Sequence, residues 1–454
     1  MLAALTALMF TLMAQAQPAG GLTAAQAVDR ALKTYPSIQV SQEQLNQAAA
    51  GIELARTSFL PRLDALAQVN RATRNNVFGL LLPQSTISPM SGPVLGTDNF
   101  GTAWGSAVGV LATWEPFDFG LRRAGVASAD AARARSAATL KRTQFDVACA
   151  AADSFVTLAA AEQTANAAQA GVDRAEVLAR IVRALAGAQL RPGADVSRAE
   201  AELAAARTQL IQAQQAIDVS RATLAQFTGL EPDQIRLASA RLLEPPPAQS
   251  SPPLDPATNP AGAEQNAAVE QAKAQLRILE RSYFPRFYLQ GTAYARGSGA
   301  ATDGRILGGL NGLAPNYQNY ALGFTVAFPV FDLPSIRARE AGQAAVVEAE
   351  AARYRQIATD LKARWNAAVA TLNGARRVAA NTPTEVAAAR AATAQATARY
   401  QSGLGTVVEV ADAQRLLTQA GIDDALARLS VWRALLGVAI AAGDIRPFLA
   451  EASR

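Results

Sequence analysis

The sequence predicts a mainly α-helical chain with a smaller β portion of membrane-strand character, the whole written twice. Three observations carry this reading. Short motifs recur at nearly constant spacing between the two halves, long proline-free stretches keep an Ala-rich helical pattern, and one segment in each half alternates large apolar with small residues, preceded by another that alternates less cleanly. Half of the 454 residues are hydrophobic, yet aromatics make up only 6%. Ala fills much of that gap; it is the strongest helix former and lets helices approach closely. A chain of this length exceeds what one ordinary core serves.

The repetition sets the frame for every element. Leu60-Pro61-Arg62-Leu63 returns as Phe284-Pro285-Arg286-Phe287 at an offset of 224, and Trp114-Glu115-Pro116-Phe117-Asp118 returns as Phe328-Pro329-Val330-Phe331-Asp332 at an offset of 214. The second offset then matches Asp195-Val196-Ser197-Arg198-Ala199-Glu200 with Glu409-Val410-Ala411-Asp412-Ala413-Gln414, and Gly229 with Gly443. The change of offset is absorbed by a longer loop in one half. The resulting division is a first repeat at 17–243, a Pro-rich linker at 244–260, a second repeat at 261–444 and a C-terminal tail at 445–454. Proline resists helix and lacks a donor, so the linker is expected to be extended.

Met1 to Ala16 form an apolar stretch too short to anchor in a bilayer, ending in Ala14-Gln15-Ala16, a cleavage pattern of signal peptides. A signal peptide at 1–16 is the expectation, with an N-terminal core helix as the competing reading. Downstream no run of eighteen or more apolar residues occurs, so any membrane crossing is expected as strands.

Strands are expected at about 60–73, 100–116, 284–297 and 318–331. In the second, Thr102, Trp104, Ser106, Val108, Val110, Ala112 and Trp114 alternate mostly with Gly and Ala; in the fourth, Tyr320, Leu322, Phe324, Val326 and Phe328 alternate with small residues. Period-two alternation with aromatics at the ends suits a membrane barrel wall, and a soluble sandwich strand is the alternative. Gly, Pro, Asn and Ser fill the segments 74–99 and 297–317, which read as exposed loops.

Helical hairpins follow at 119–229 and 333–443. Asp118 and Asp332 stand where an N-cap is wanted, and Pro334 suits a first helical turn. The proline-free stretch that runs to Ala186 would extend about 100 Å as helix, at about 1.5 Å per residue. The returning segment places Val196, Ala199, Leu203, Ala206, Leu210, Ala213, Ile217, Ser220 and Leu224 at three-four spacing, a coiled-coil seam. Its second copy runs Val410, Ala413, Leu417, Ala420, Asp424, Ala427, Val431, Ala434 and Val438, with Asp424 as the one break. Thr382-Pro383-Thr384-Glu385 spells a capping box inside the second long helix, so a kink or restart is expected there.

Several function classes drop out. The chain has no His, and it shows no Gly-rich phosphate loop, no Cys pair and no Ser nucleophile elbow, so neither catalysis nor a cofactor is expected. The net charge of +5 is scattered without a basic run, which argues against nucleic acid. The single cysteine, Cys149, reads as a small buried residue on a helix.

Signal peptide, duplicated strand-loop-strand units, Pro-Arg entering the first strand, Phe-Asp leaving the second and paired long helices together resemble the TolC-like outer-membrane efflux proteins, over roughly Leu22 to Asp444. The resemblance implies a homotrimer in which four strands per subunit close a 12-stranded barrel, with the helices continuing as an α-barrel across the periplasm. It also implies a passive export conduit working with a periplasmic adaptor and an inner-membrane pump, as in tripartite efflux or type I secretion, in contact with outer-membrane lipid. At the second helical turn, Glu409 and Asp412 match acidic positions that line the family's narrow periplasmic entrance, favouring cations. Tyr400 matches a tyrosine that helps hold the entrance shut, and Asp195 matches an acid on the facing turn. The archetype's arginine of that lock is replaced by Gly405, and Arg191 lies nearby as a substitute. The competing readings are a solvated helix start for Glu409 and Asp412, and a periplasmic coiled-coil adaptor or scaffold for the whole chain, which would lack lipid-facing strand pairs.

Overall fold

The structure is a computed structural model that describes residues 21–73, 101–247, 253–301 and 305–453. The expected signal segment and the loop at 74–99 lie outside them. The elements are α1 (Ala24–Thr34), α2 (Pro36–Thr57), β1 (Arg62–Thr73), β2 (Thr102–Phe117), α3 (Leu121–Gly187), α4 (Gly193–Thr228), α5 (Pro260–Arg281), β3 (Arg286–Ser298), β4 (Tyr317–Ala327), α6 (Leu333–Gln401), α7 (Val407–Ala442) and α8 (Arg446–Ala452). They form two compact units, each drawing on both halves of the chain: one of Met1–Gln44, Ala137–Asn266 and Ala352–Arg454, the other of Leu45–Ser136 and Ala267–Ala351.

The second unit carries an antiparallel sheet in the order β1-β2-β3-β4. Its register puts Leu63, Ala112, Gly291 and Leu322 in one row, and Phe117, Phe287 and Val326 in another, so one face is largely apolar. Asp64, Gln68, Asn70, Gln290, Thr292 and Arg296 alternate onto the other face. The outer edges of β1 and β4 have no strand partner among the described residues. β4 stops at Ala327, short of the expected 331, because Pro329 has no N–H for a ladder and the chain turns from Phe328 to Val330. The segment 297–317 is tied to the sheet where it is described: Gly299 N donates to the Trp104 carbonyl at 2.8 Å.

The helix starts differ in detail. Asp118 caps α3 with its side chain, accepting from Gly120 N at 3.0 Å and Arg122 N at 2.7 Å. Asp332 offers its backbone carbonyl to Ile336 N at 2.9 Å.

The first unit is helical. Its core gathers Phe155, Leu158, Leu224, Trp432, Leu436 and Phe448 from α3, α4, α7 and α8. α7 is long and apolar enough to cross a membrane by composition, against expectation, but half of that window is buried inside the unit, so its hydropathy serves a core. Residues 445–454, read as a tail, contain α8, whose Phe448 meets the Trp432 ring edge-on at 6.3 Å. The linker's end is pinned: Asn259 accepts from Ala261 N at 3.0 Å and donates to the Ala441 carbonyl at 3.2 Å.

Of the kink or restart expected at Pro383, the restart does not occur. α6 runs through it from Leu333 to Gln401. Thr382 is not a cap, because its buried hydroxyl donates to Asp424 Oδ1 at 2.8 Å, and Asp424 also pairs with Arg428. The one polar break in the seam and the proline thus meet in a single polar cluster. Cys149 is buried on α3 as expected, and burial, with Asp146 adding to it, pushes its thiol up to about 12, which leaves it inert as a nucleophile.

Candidate functional site

The predicted site residues sit where the two hairpins of the first unit turn, between α3 and α4 and between α6 and α7. The turns are copies in backbone geometry. Gln189 takes a left-handed φ of 58° after α3, and Gly403, its equivalent in the second copy, takes 81° after α6. Leu190 N bonds the Leu185 carbonyl at 2.9 Å, and Leu404 N bonds the Arg399 carbonyl at the same distance. Such caps satisfy the carbonyls that a helix end leaves open.

The next helices start differently. α4 begins behind Pro192 without a side-chain cap, whereas Thr406 caps α7 by accepting from Glu409 N at 3.3 Å. The sequence reading had missed Thr406, although Thr three residues before Glu is a cap signature.

Between the turns, Arg191 donates to the Tyr400 carbonyl at 2.8 Å and lays its guanidinium 4.6 Å from the centre of the Tyr400 ring. A cation over an aromatic face at a shielded site is worth about 0.5–2 kcal/mol. Tyr400 is only 1% exposed and packs with Val172, Val182, Leu203, Val407 and Val410. Its hydroxyl is buried without a well-formed hydrogen bond. Burial raises the phenol above its ordinary value and the Asp195 carboxylate adds to the rise, with Arg191 opposing.

Gly405 and Arg191 occupy equivalent positions in the two copies. A Cβ at Gly405 would approach Arg399 Cβ and Tyr400 N to 3.2 Å, tighter than ordinary contact. A side chain there would require its neighbours to give by a few tenths of an ångström, and it is the first turn that supplies an arginine.

Glu409 and Asp412 are both exposed on the first turns of α7, and each has an arginine nearby. Arg399 lies 3.8 Å from Glu409; Arg415 bridges Asp412 at 2.6 Å and reaches Glu202 of α4 at 3.3 Å. Arg399 and Arg415 were not singled out from sequence, though the three-residue spacing from Asp412 to Arg415 is legible there. Exposed pairs of this kind are worth about 0–1 kcal/mol each, so the carboxylates keep most of their field.

Above the turns, α3, α4 and α7 enclose a groove of about 460 Å³ bordered by Gly171, Glu202, Ala206, Arg415 and Thr418. A side chain at Gly171 would press on Thr418 at 3.0 Å. Thr418 also accepts from Arg174 at 2.7 Å. Among the described residues no cluster of three or more His, Cys, Asp or Glu could hold a metal ion.

A family model described as outer membrane efflux protein matches residues 27–230 and 257–444. The chain is 24% identical over 422 residues to the pyoverdine export outer membrane protein OpmQ of Pseudomonas aeruginosa, covering 92% of this chain and 84% of that protein. Its fold is that of the CmeC outer membrane channel of Campylobacter jejuni, with a TM-score of 0.73 at 16% identity over 95% of this chain and 89% of that one. It also matches the outer membrane protein VceC of Vibrio cholerae, with a TM-score of 0.72 at 18% identity over 93% and 96% of the two chains.

Proposed function

Because the chain belongs to the outer membrane efflux protein family, we propose that it is the outer-membrane channel subunit of a tripartite efflux or type I secretion system, a passive conduit that carries no chemistry of its own. The observation that carries this is the sheet. Four strands with one apolar face and two edges without a strand partner among the described residues cannot stand alone in lipid, where each open backbone group costs several kcal/mol. Three copies joined β4 to β1 would close twelve strands and remove every edge. A periplasmic adaptor or scaffold would have no use for such a face.

The helical turns then form the periplasmic entrance, the 1–16 segment directs export, and an adaptor and an inner-membrane pump supply energy and substrate choice. The exposure of Glu409 and Asp412 supports a ring of six carboxylates favouring cations, tempered by Arg399 and Arg415. The contact of Arg191 with Tyr400, with Asp195 beside the phenol, supports a closing clasp in which Arg191 takes the place of the arginine absent at Gly405.

Planar-bilayer recording tests this reading. The purified protein is expected to give cation-preferring channels, and Glu409→Ala with Asp412→Ala to reduce the preference several-fold. Absence of channels from protein that withstands carbonate extraction would sink the proposal, and unchanged selectivity in the double variant would sink the acidic ring.

A further inference from the structure

At the foot of the sheet's apolar face lies a second groove, of about 720 Å³, built within the strand-bearing unit from the β2–α3 junction, Phe59 and the end of α5. Its walls are of two kinds. Phe59, Phe117 and Phe119 are 43%, 54% and 36% exposed and continue the apolar face, since Phe117 pairs with Phe287 in the row that ends at Val326. Arg123, Arg277 and Arg281 form the other wall, all exposed and without an ion-pair or hydrogen-bond partner among the described residues.

The neighbouring cation shows the contrast. Arg122 is almost wholly buried and committed to Asp118 at 2.8 Å, to the Ser58 carbonyl at 3.2 Å and to the Phe59 ring at 4.9 Å. Of the remaining charges, three free guanidinium groups face one carboxylate, Glu280, so the groove is net positive. Arg281 stands at a rim shared with another groove on the sheet's polar side, which leaves Arg123 and Arg277 as the cations belonging to this one.

Phe119 is held at a left-handed φ of 50°, costly for an aromatic residue. That conformation sets its ring at 4.7 Å from Phe117 and stacks it at 5.1 Å on Phe284, keeping the apolar wall together beside the cations.

We infer that this groove seats an anionic phospholipid of the surrounding membrane, its acyl chains on the phenyl wall and its phosphate against Arg123 and Arg277. The order of chemistry from the sheet outward, apolar face, aromatic rim, then unpaired guanidinium, is the order a phospholipid presents from chain to headgroup. The inference rests on the reading above that the strands cross the membrane.

The test is lipid retention by the detergent-purified full-length protein, measured by native mass spectrometry with phosphatidylglycerol and phosphatidylcholine of identical acyl chains. Wild type is expected to retain phosphatidylglycerol with roughly 25-fold preference, and Arg123→Gln with Arg277→Gln to lose most of it, each cation contributing roughly fivefold. Arg123→Lys with Arg277→Lys is expected to keep the preference, so a folding defect is told apart from loss of charge. Equal retention of the two lipids by wild type, or a preference unchanged in the Gln variant, would overturn the inference. So would full displacement of the lipid by millimolar inorganic phosphate, which would reduce the groove to a phosphate site. Co-flotation of wild type and variant with vesicles is read in parallel: protein that fails to float at all contradicts the membrane reading itself rather than the lipid site.

Discussion

α4 and α7 are equivalent helices of 36 residues each, and both end on a left-handed glycine, Gly229 and Gly443. Yet α4 buries five residues and α7 fifteen. Both keep the three-four seam toward the long helix of their own hairpin. α7 adds a second stripe, Leu429, Trp432, Leu436 and Ala439, that joins the core with α3 and α8. Duplication thus copied the backbone and its caps, while burial was distributed unequally afterwards. The turns repeat the lesson, with one left-handed backbone position held by Gln189 in one copy and Gly403 in the other, and the arginine of position 191 answered by a glycine at 405.

The largest effect expected from this asymmetry comes from one equivalent pair. Trp432 is fully buried, donates to the Glu244 carbonyl at 2.8 Å and lies under Arg241. Its counterpart, Asp218, is an exposed residue. Trp432→Ala is expected to cost about 3–5 kcal/mol, and Asp218→Ala to stay within about 0.5 kcal/mol, read as shifts in the thermal unfolding midpoint of the purified protein. Equal shifts would mean that α4 and α7 carry the same load.

A smaller and opposite pair of effects is expected at the turns. Gln189→Gly relieves a left-handed residue and is expected to stabilise by roughly 0.5–1 kcal/mol, while Gly403→Gln loses a similar amount. Two changes of the same sign would show that the turns are not conformational copies.

The smallest concerns pH. The Tyr400 phenol is raised by burial and by Asp195, so the folded protein resists its ionisation. Its contribution is whole below the unfolded value near 10 and is lost as pH rises through the raised folded value. Tyr400→Phe is expected to flatten the alkaline fall in stability and to change little at neutral pH, since the hydroxyl is poorly bonded. An unchanged alkaline slope would place the titrating group elsewhere.

How far the sequence carried depends on whether the controlling physics was local. Gly229 and Gly443 ended their helices where the motif alignment put them, because a left-handed cap is a single-residue property. The second and fourth strands were legible in their alternation, and β4 was overrun only where Pro329 ends the ladder. The capping signal at Thr382-Pro383 misled as to a helix restart, since the Thr382 hydroxyl bonds Asp424, far along the chain on α7, instead of capping. The same separation hid why Asp424 breaks the seam, why α7 is so apolar and why Phe448 of α8 packs against Trp432. At the turns, residue types were legible from the family resemblance, but Arg399 and Arg415 beside the acids emerge only when the hairpins are packed.

On the proposed reading the open sheet closes with two further copies of itself. Disulfide scanning between the edge strands tests it most directly: single cysteines along Leu63–Val69 of β1 combined with single cysteines along Tyr320–Val326 of β4, in a Cys149→Ser background. The account predicts that cysteine pairs in register yield a covalent trimer on a non-reducing gel, with pairs one residue out of register yielding none. Covalent dimers as the largest product, or no intermolecular bond at any register, would contradict it.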